Sequence, residues 1–189
     1  MSNAIELAQV TPSFISPALP PNFMAENPPV PLKDIVGGIN IDAILPTPPS
    51  KDIIVVGHGA SELEDVLTKH AEAAGKYIRS DQEPEKGYFY RSDHISFTKK
   101  GVQMLYADSG ADLVEGGEAV GRAMGDQYTS VRYHQPADEY APDWVMTGMV
   151  ESTTLLHAVG ADIASSTAWP NWRAGNEFRA LRDAQRAGG

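Results

Sequence analysis

The chain has 189 residues, 42% of them apolar and 21% charged, which suits one packed domain and excludes wholesale disorder. Fifteen Lys and Arg against 25 Asp and Glu give a net charge of −10, so neither a nucleic acid nor an anionic membrane is expected as the main partner. With no cysteine there is no disulfide framework and no thiolate metal site, and any metal must be held by Asp, Glu or His. No apolar run approaches the roughly 20 residues of a membrane span. The first residues lack a basic start and an apolar stretch, so the expectation is a soluble form without a signal peptide.

Prolines 12, 17, 20, 21, 28, 29 and 31 crowd the start of the chain. Residues 1–21 therefore read as an extended arm, since proline removes backbone donors. Phe23–Glu26 fits one helical turn, ended by Pro28. Ile35–Asp42 is apolar and partly β-branched, the pattern of a buried strand ending on an acid. After a Pro46–Pro49 loop, Ile53–Val56 forms a second buried strand closed by Gly57-His58-Gly59. Ser61 and Glu64 make a capping box for a helix whose apolar face holds Leu63, Val66, Leu67, His70 and Ala74. Gly75 stands at its C-cap.

Tyr77–Arg79 reads as a short strand and residues 81–92 as a polar, aromatic loop. Ser92 or Asp93 caps a short helix through Phe97 to Lys100, and Val102–Tyr106 is another strand. Residues 108–142 are acidic and glycine-rich, and the reading there is mostly loop. The longest helix is expected from Pro142-Asp143, with Val145, Met149, Leu156, Val159 and Ile163 on one face. A last helix from about Asn176 to Arg186 follows Trp169-Pro170-Asn171-Trp172. Strands alternating with helices indicate an α/β fold, and no internal repeat is present.

Four places carry polar groups suited to chemistry. Asp42 ends a strand, where α/β proteins gather functional side chains, although a cap or turn role is the plainer reading. Arg91-Ser92-Asp93-His94 holds Ser, Asp and His, but adjacent side chains point apart and cannot converge as a triad. There Asp93 reads as a capping acid and His94 as a hydrogen-bonded imidazole facing a pocket. His134 follows Tyr133 in the acidic loop and suits a metal, though a loop histidine alone is usually just exposed. Gly57-His58-Gly59-Ala60-Ser61 has the placement of a phosphate loop, but Glu62 stands where the third glycine of a dinucleotide fingerprint belongs and would repel phosphate. His70 and His157, within helices, read as half-buried.

Taken together, several segments resemble a known family. They are Met24-Ala25-Glu26-Asn27-Pro28, Ile39-Asn40-Ile41-Asp42, Val55-Val56-Gly57-x-Gly59-x-Ser61-Glu62-Leu63, Pro84 through His94, and Arg132-Tyr133-His134-Gln135-Pro136-Ala137-Asp138-Glu139-Tyr140. From about Phe23 to Ala187 the chain resembles the C-terminal part of the dizinc aminopeptidases of metallopeptidase family 28, of the bacterial leucyl aminopeptidase type. The resemblance implies a three-layer α/β/α fold with a mostly parallel sheet, of the phosphorylase/hydrolase-like zinc exopeptidase architecture. It also implies metal-assisted hydrolysis of N-terminal peptide bonds with two zinc ions.

By that resemblance Asp42 is a carboxylate ligand of one zinc and His134 an imidazole ligand of the other. Tyr133 stabilises the oxyanion, and Arg91, Asp93 and His94 form the wall of the substrate pocket. Such a site also needs a His-x-Asp segment, a bridging Asp and a Glu-Glu pair ahead of the Asn-x-Asp strand. Residues 1–34 hold no histidine, no paired glutamates and a single aspartate, Asp34. The expectation is therefore a truncated peptidase domain over residues 22–189, lacking its general base. Zinc binding by it alone should be weak or absent. Its partners would be peptide in the whole family, and a second copy or the missing N-terminal half for this chain. A non-catalytic binding or assembly module is the alternative, and an active enzyme with a rebuilt site the third reading. Complete members of the family are often secreted or periplasmic, and nothing here fixes the compartment.

Overall fold

The computed structural model describes residues 21–42 and 44–188. The expected arm lies outside the described residues except for Pro21, which instead opens helix α1 (Pro21–Glu26). Four strands form one sheet: β1 (Gly38–Asn40), β2 (Asp52–Val56), β3 (Tyr77–Ser80) and β4 (Met104–Ser109), in the order β1-β4-β2-β3. β1 runs parallel to β4 and β2 parallel to β3, while β2 and β4 are antiparallel, so the sheet is mixed and mostly parallel.

Side-chain alternation separates the two faces. Ile39, Ile53, Val55, Ile78, Leu105 and Ala107 point to one side, against helices α2 (Leu63–Ala73) and α6 (Thr147–Ser165). Leu67, Ala71 and Val159 from those helices are wholly buried there, and this layer is the main core. The opposite face presents Asn40, Asp52, Arg79, Tyr106 and Asp108, and its covering is lighter. Two single-turn helices lie there, α3 (Tyr88–Arg91) and α4 (Ile95–Thr98), the latter touching α1. The fold is α/β, as the strand–helix alternation indicates.

Local chemistry explains the α2 boundaries. The Glu64 carboxylate accepts from the Ser61 N–H at 3.0 Å, and the Ser61 hydroxyl accepts from the Leu63 N–H at 3.1 Å. At the other end Gly75 has φ of 71°, and Lys76 N–H reaches back to the Ala71 carbonyl at 2.8 Å. That six-to-one bond is the Schellman closure, and glycine supplies the left-handed residue it requires.

Several sequence expectations need correction. The first strand spans three residues rather than Ile35–Asp42. The carbonyls of Val36 and Ile35 are instead taken by the Gln103 amide and the Arg182 guanidinium. The acidic stretch 108–142 is only about half loop, because β4 extends to Ser109 and a 15-residue helix, α5 (Gly117–Val131), follows. Its glycines look like breakers but serve contact: a Cβ on Gly121 would stand 2.0 Å from the Ala111 carbonyl oxygen. Helix α6 begins at Thr147, since Pro142 and Asp143 form a turn, residues 144–146 are irregular, and buried Gly148 packs under the Thr47 and Pro48 carbonyls. The last helix, α7, covers Arg179–Ala187. His157 is exposed rather than half-buried.

A C-terminal stretch ties the ends together. Trp172, fully buried, donates from its indole to the Gly101 carbonyl at 2.9 Å. Arg182 of α7, also fully buried, donates to the Leu32 carbonyl at 2.7 Å and to Ile35. Gln103 bonds to both Val36 and Pro170. These contacts fix the backbone that leads into β1.

Candidate functional site

The parallel pairing of β1 with β4 sets Asn40 beside Tyr106. Asp42 lies two residues beyond Asn40, past the carboxyl end of β1, with its side chain exposed. One of its oxygens, Oδ2, accepts from the Ser92 hydroxyl at 2.6 Å and faces the Tyr106 hydroxyl at 3.5 Å. Ser92 in turn accepts from the Asn40 amide at 2.8 Å, and both Ser92 and Asn40 are buried. A strand, a loop and a second strand therefore converge to aim one carboxylate. Ser92 serves as its positioning donor, a role that sequence reasoning about the Ser-Asp-His run missed.

His94 is 2% exposed, and the expectation of a hydrogen-bonded imidazole fails. Among the described residues neither of its ring nitrogens has a partner. The ring sits edge-on between Phe89, at 4.9 Å, and Tyr106, at 5.2 Å. Burial in this aromatic slot holds its pKa down at about 4, while the charge of Asp42 opposes the shift. Asp93, expected to cap a helix, is exposed, and the short α4 has no side-chain cap. The proximity of Asp93 to His94 along the chain does not bring its carboxylate to the imidazole, because successive side chains diverge.

Asp108, two residues beyond Tyr106 on the same face of β4, was not anticipated. Its Oδ1 is buried without a hydrogen-bond partner among the described residues. Burial, then the charges of Asp42 and Asp81, push its pKa up to about 7, and the Tyr106 hydroxyl draws it partway back. The Tyr106 phenol is itself driven upward by burial and by the flanking carboxylates Asp108 and Asp42. The alternation of Tyr106 and Asp108 in the strand was the available signal, hidden because residue 108 was read as loop.

Tyr133 and His134 arrive from the turn after α5, their rings 4.1 Å apart and edge-to-face. His134 has φ of 57°, the one non-glycine residue with positive φ among those described. That conformation costs energy for a side chain with a Cβ, and such strain concentrates at functional positions. Tyr133 lies within the fields of Asp42 and Arg91: burial and Asp42 raise its pKa, and Arg91 lowers it. The Arg91 guanidinium also donates to the Lys86 carbonyl at 3.3 Å. Asp42, Arg91, His94 and Tyr133 thus share one neighbourhood. His134 reaches it through its edge-to-face contact with Tyr133, and among the described residues the Asp93 carboxylate makes no hydrogen bond or ion pair there.

The glycine turn after β2 is no phosphate loop. Its amides at Gly59 and Ser61 are taken by the Glu64 carboxylate, at 2.8 Å and 3.0 Å. An internal anion already fills the place a phosphate would need.

Comparison with known proteins decides the family. The sequence model of peptidase family M28 matches residues 21–158, well over half of the chain. The chain belongs to peptidase family M28. No curated protein and no solved structure matches it. Membership makes this a metallopeptidase-like hydrolase fold, and the family is generally zinc-dependent. The donor set of this family member does not fit a complete zinc site. Among the described residues no three Asp, Glu or His side chains are grouped to hold a metal, whereas a catalytic zinc takes about three protein ligands.

Proposed function

We infer that this chain carries one side of a zinc aminopeptidase site of the two-metal, leucyl aminopeptidase type, and that by itself it does not hydrolyse peptides. In this reading Asp42 and His134 would each give one ligand to a different metal. Tyr133 would face the oxyanion, and Arg91, Asp93 and His94 would wall the substrate pocket. The observation that carries it is the convergence of Asp42 with Tyr133 and Arg91, far apart in sequence, at the carboxyl end of β1. The strained backbone of His134 supports a role beyond surface filling. Further ligands and a general base would have to come from outside the described residues.

The test is metal analysis and aminoacyl-anilide hydrolysis on the purified chain. The inactive reading expects less than stoichiometric zinc after dialysis against a mild chelator, and no hydrolysis above background. Losing a general base alone removes about 10²–10⁴ in rate. Activity that follows the protein and disappears in Asp42→Ala would refute it.

A second reading, a non-catalytic binding or assembly module on the peptidase fold, is favoured by the absence of a three-donor group among the described residues. Zinc titration separates the two. The peptidase reading expects weak zinc binding that is lost in both Asp42→Ala and His134→Ala, and the module reading expects zinc affinity indifferent to both.

A further inference from the structure

A cleft of about 440 Å³ opens where the parallel strands β2 and β3 end, at Val56-Gly57 and Ser80-Asp81. Its remaining walls are His58, Ala60, Pro84, residues 87–90 and residues 176–178. None of Asp42, Arg91, His94, Tyr133 and His134 lines it. One wall, Asn176 to Phe178, lies beyond the residues matched by the family, and the cleft adjoins the site described above without containing those five residues. Phe89 separates the two, with its ring against His94 on one side and against Gly57 on the other.

The lining has a definite chemistry. Tyr88, Phe89, Tyr90 and Phe178 supply aromatic surface, and Asp81 and Glu177 supply two carboxylates. Among the described residues no lysine or arginine lines the cleft, and its one imidazole, His58, lies 3.7 Å from the Glu64 carboxylate. Lys86 stands 6.0 Å from the centre of the Tyr88 ring, but its ammonium is paired to Glu83 at 2.7 Å. The carboxylates are held in place. Glu177 accepts from the Tyr90 hydroxyl at 2.9 Å through one oxygen, and Asp81 accepts from the Glu83 N–H at 2.9 Å through one of its own. Each therefore keeps a second oxygen for a guest. The rings are fixed as well: Phe89 and Tyr90 meet edge-to-face at 5.2 Å, and Phe178 packs on buried Trp172 at 5.5 Å.

Aromatic faces with nearby carboxylates and no competing cation select an organic cation. A planar guanidinium suits them best, since it stacks on a ring while its N–H fork meets a carboxylate. We propose that this cleft binds the cationic side chain of a basic peptide, arginine before lysine, at a site separate from the peptidase centre. The proposal stands whether or not the chain hydrolyses peptides.

The test uses the full chain, labelled with ¹⁵N, at low salt. N-acetyl-arginine amide is titrated, with N-acetyl-lysine amide and the uncharged N-acetyl-norleucine amide alongside. Saturable amide shifts are expected in residues 56–60, 80–90 and 176–178, with a Kd on the order of 1 mM for arginine and weaker for lysine. The norleucine compound should produce none. The double variant Asp81→Asn, Glu177→Gln keeps both internal hydrogen bonds and removes only charge, and it should weaken binding about tenfold or more. Should the double variant fail to fold, each single variant is expected to weaken binding by about threefold. No saturation by about 20 mM ligand, equal shifts from norleucine amide, or an affinity unchanged in the charge-removing variants would each overturn the proposal.

Discussion

Two buried titratable groups flank Tyr106, and they pull stability in opposite directions with pH. His94 has its pKa lowered to about 4, so between about 4 and the ordinary value near 6.5 the unfolded chain binds more protons. Its contribution is fully present above that window and is lost as pH falls through it. Asp108 is raised to about 7, so between about 4 and 7 the folded chain binds more protons. Its contribution is present at low pH and is lost as pH rises through 7. Asp108→Asn should therefore stabilise the protein at pH 8 by roughly 1–3 kcal/mol and do little at pH 4, read from urea midpoints. A gain over the parent protein that is the same at pH 4 and pH 8 would mean that Asp108 is not desolvated as described. Ser92→Ala should cost about 1–3 kcal/mol, because it removes the donor to Asp42 and leaves the buried Asn40 amide without its acceptor. Chemical denaturation measures this directly. The position of Asp42 just past a strand end was legible from the apolar run before it. The unpartnered state of His94 was not, since adjacency in sequence says nothing about which nitrogen finds a partner.

Among the elements, α5 is the one the sequence concealed. Helix-forming residues from Glu118 to Gln127 are interrupted by Gly121 and Gly125, and a count of glycines reads as loop. Only the folded chain reveals that Gly121 faces a backbone carbonyl too close for any side chain. Gly121→Ala should push α5 away from Ala111, at a cost of about 1–3 kcal/mol or more. Hydrogen exchange should then rise across residues 117–131 and extend to the Tyr133–His134 turn that α5 carries. Unchanged protection there would show that the close approach does not hold the helix. The strands and α2 were legible because their signals are local: apolar runs, a serine–glutamate cap and a closing glycine. The antiparallel placement of β4 was not, since apolar runs do not encode pairing direction. Arg79 joins β3 to two acids, buried Asp52 at 3.3 Å and Glu118 of α5 at 3.0 Å. Arg79→Met strands the Asp52 carboxylate and should destabilise the fold by about 3–5 kcal/mol, visible as a lowered Tm.

For the molecule as a whole, β1 is an edge strand bonded on one side only among the described residues, and Ile41 just beyond it is 47% exposed. Short length tempers the hazard of such an edge without removing it. A second copy pairing there is the expected outcome, and light scattering at micromolar concentration checks it. A monomer at every accessible concentration would leave the edge as a tolerated one. The contacts of Arg182 with Leu32 and Ile35 bear on a different matter, the order of events during synthesis. They join residues 150 and 147 positions apart. A ribosome releases the chain from its N-terminus, so the Arg182 tether on the backbone leading into β1 forms only after α7 has been made. Pairings of such long range close slowly, and the sheet can nucleate on β2 and α2 well before β1 is locked in place. Maturation of this protein should therefore be post-translational at the very strand that aims Asp42.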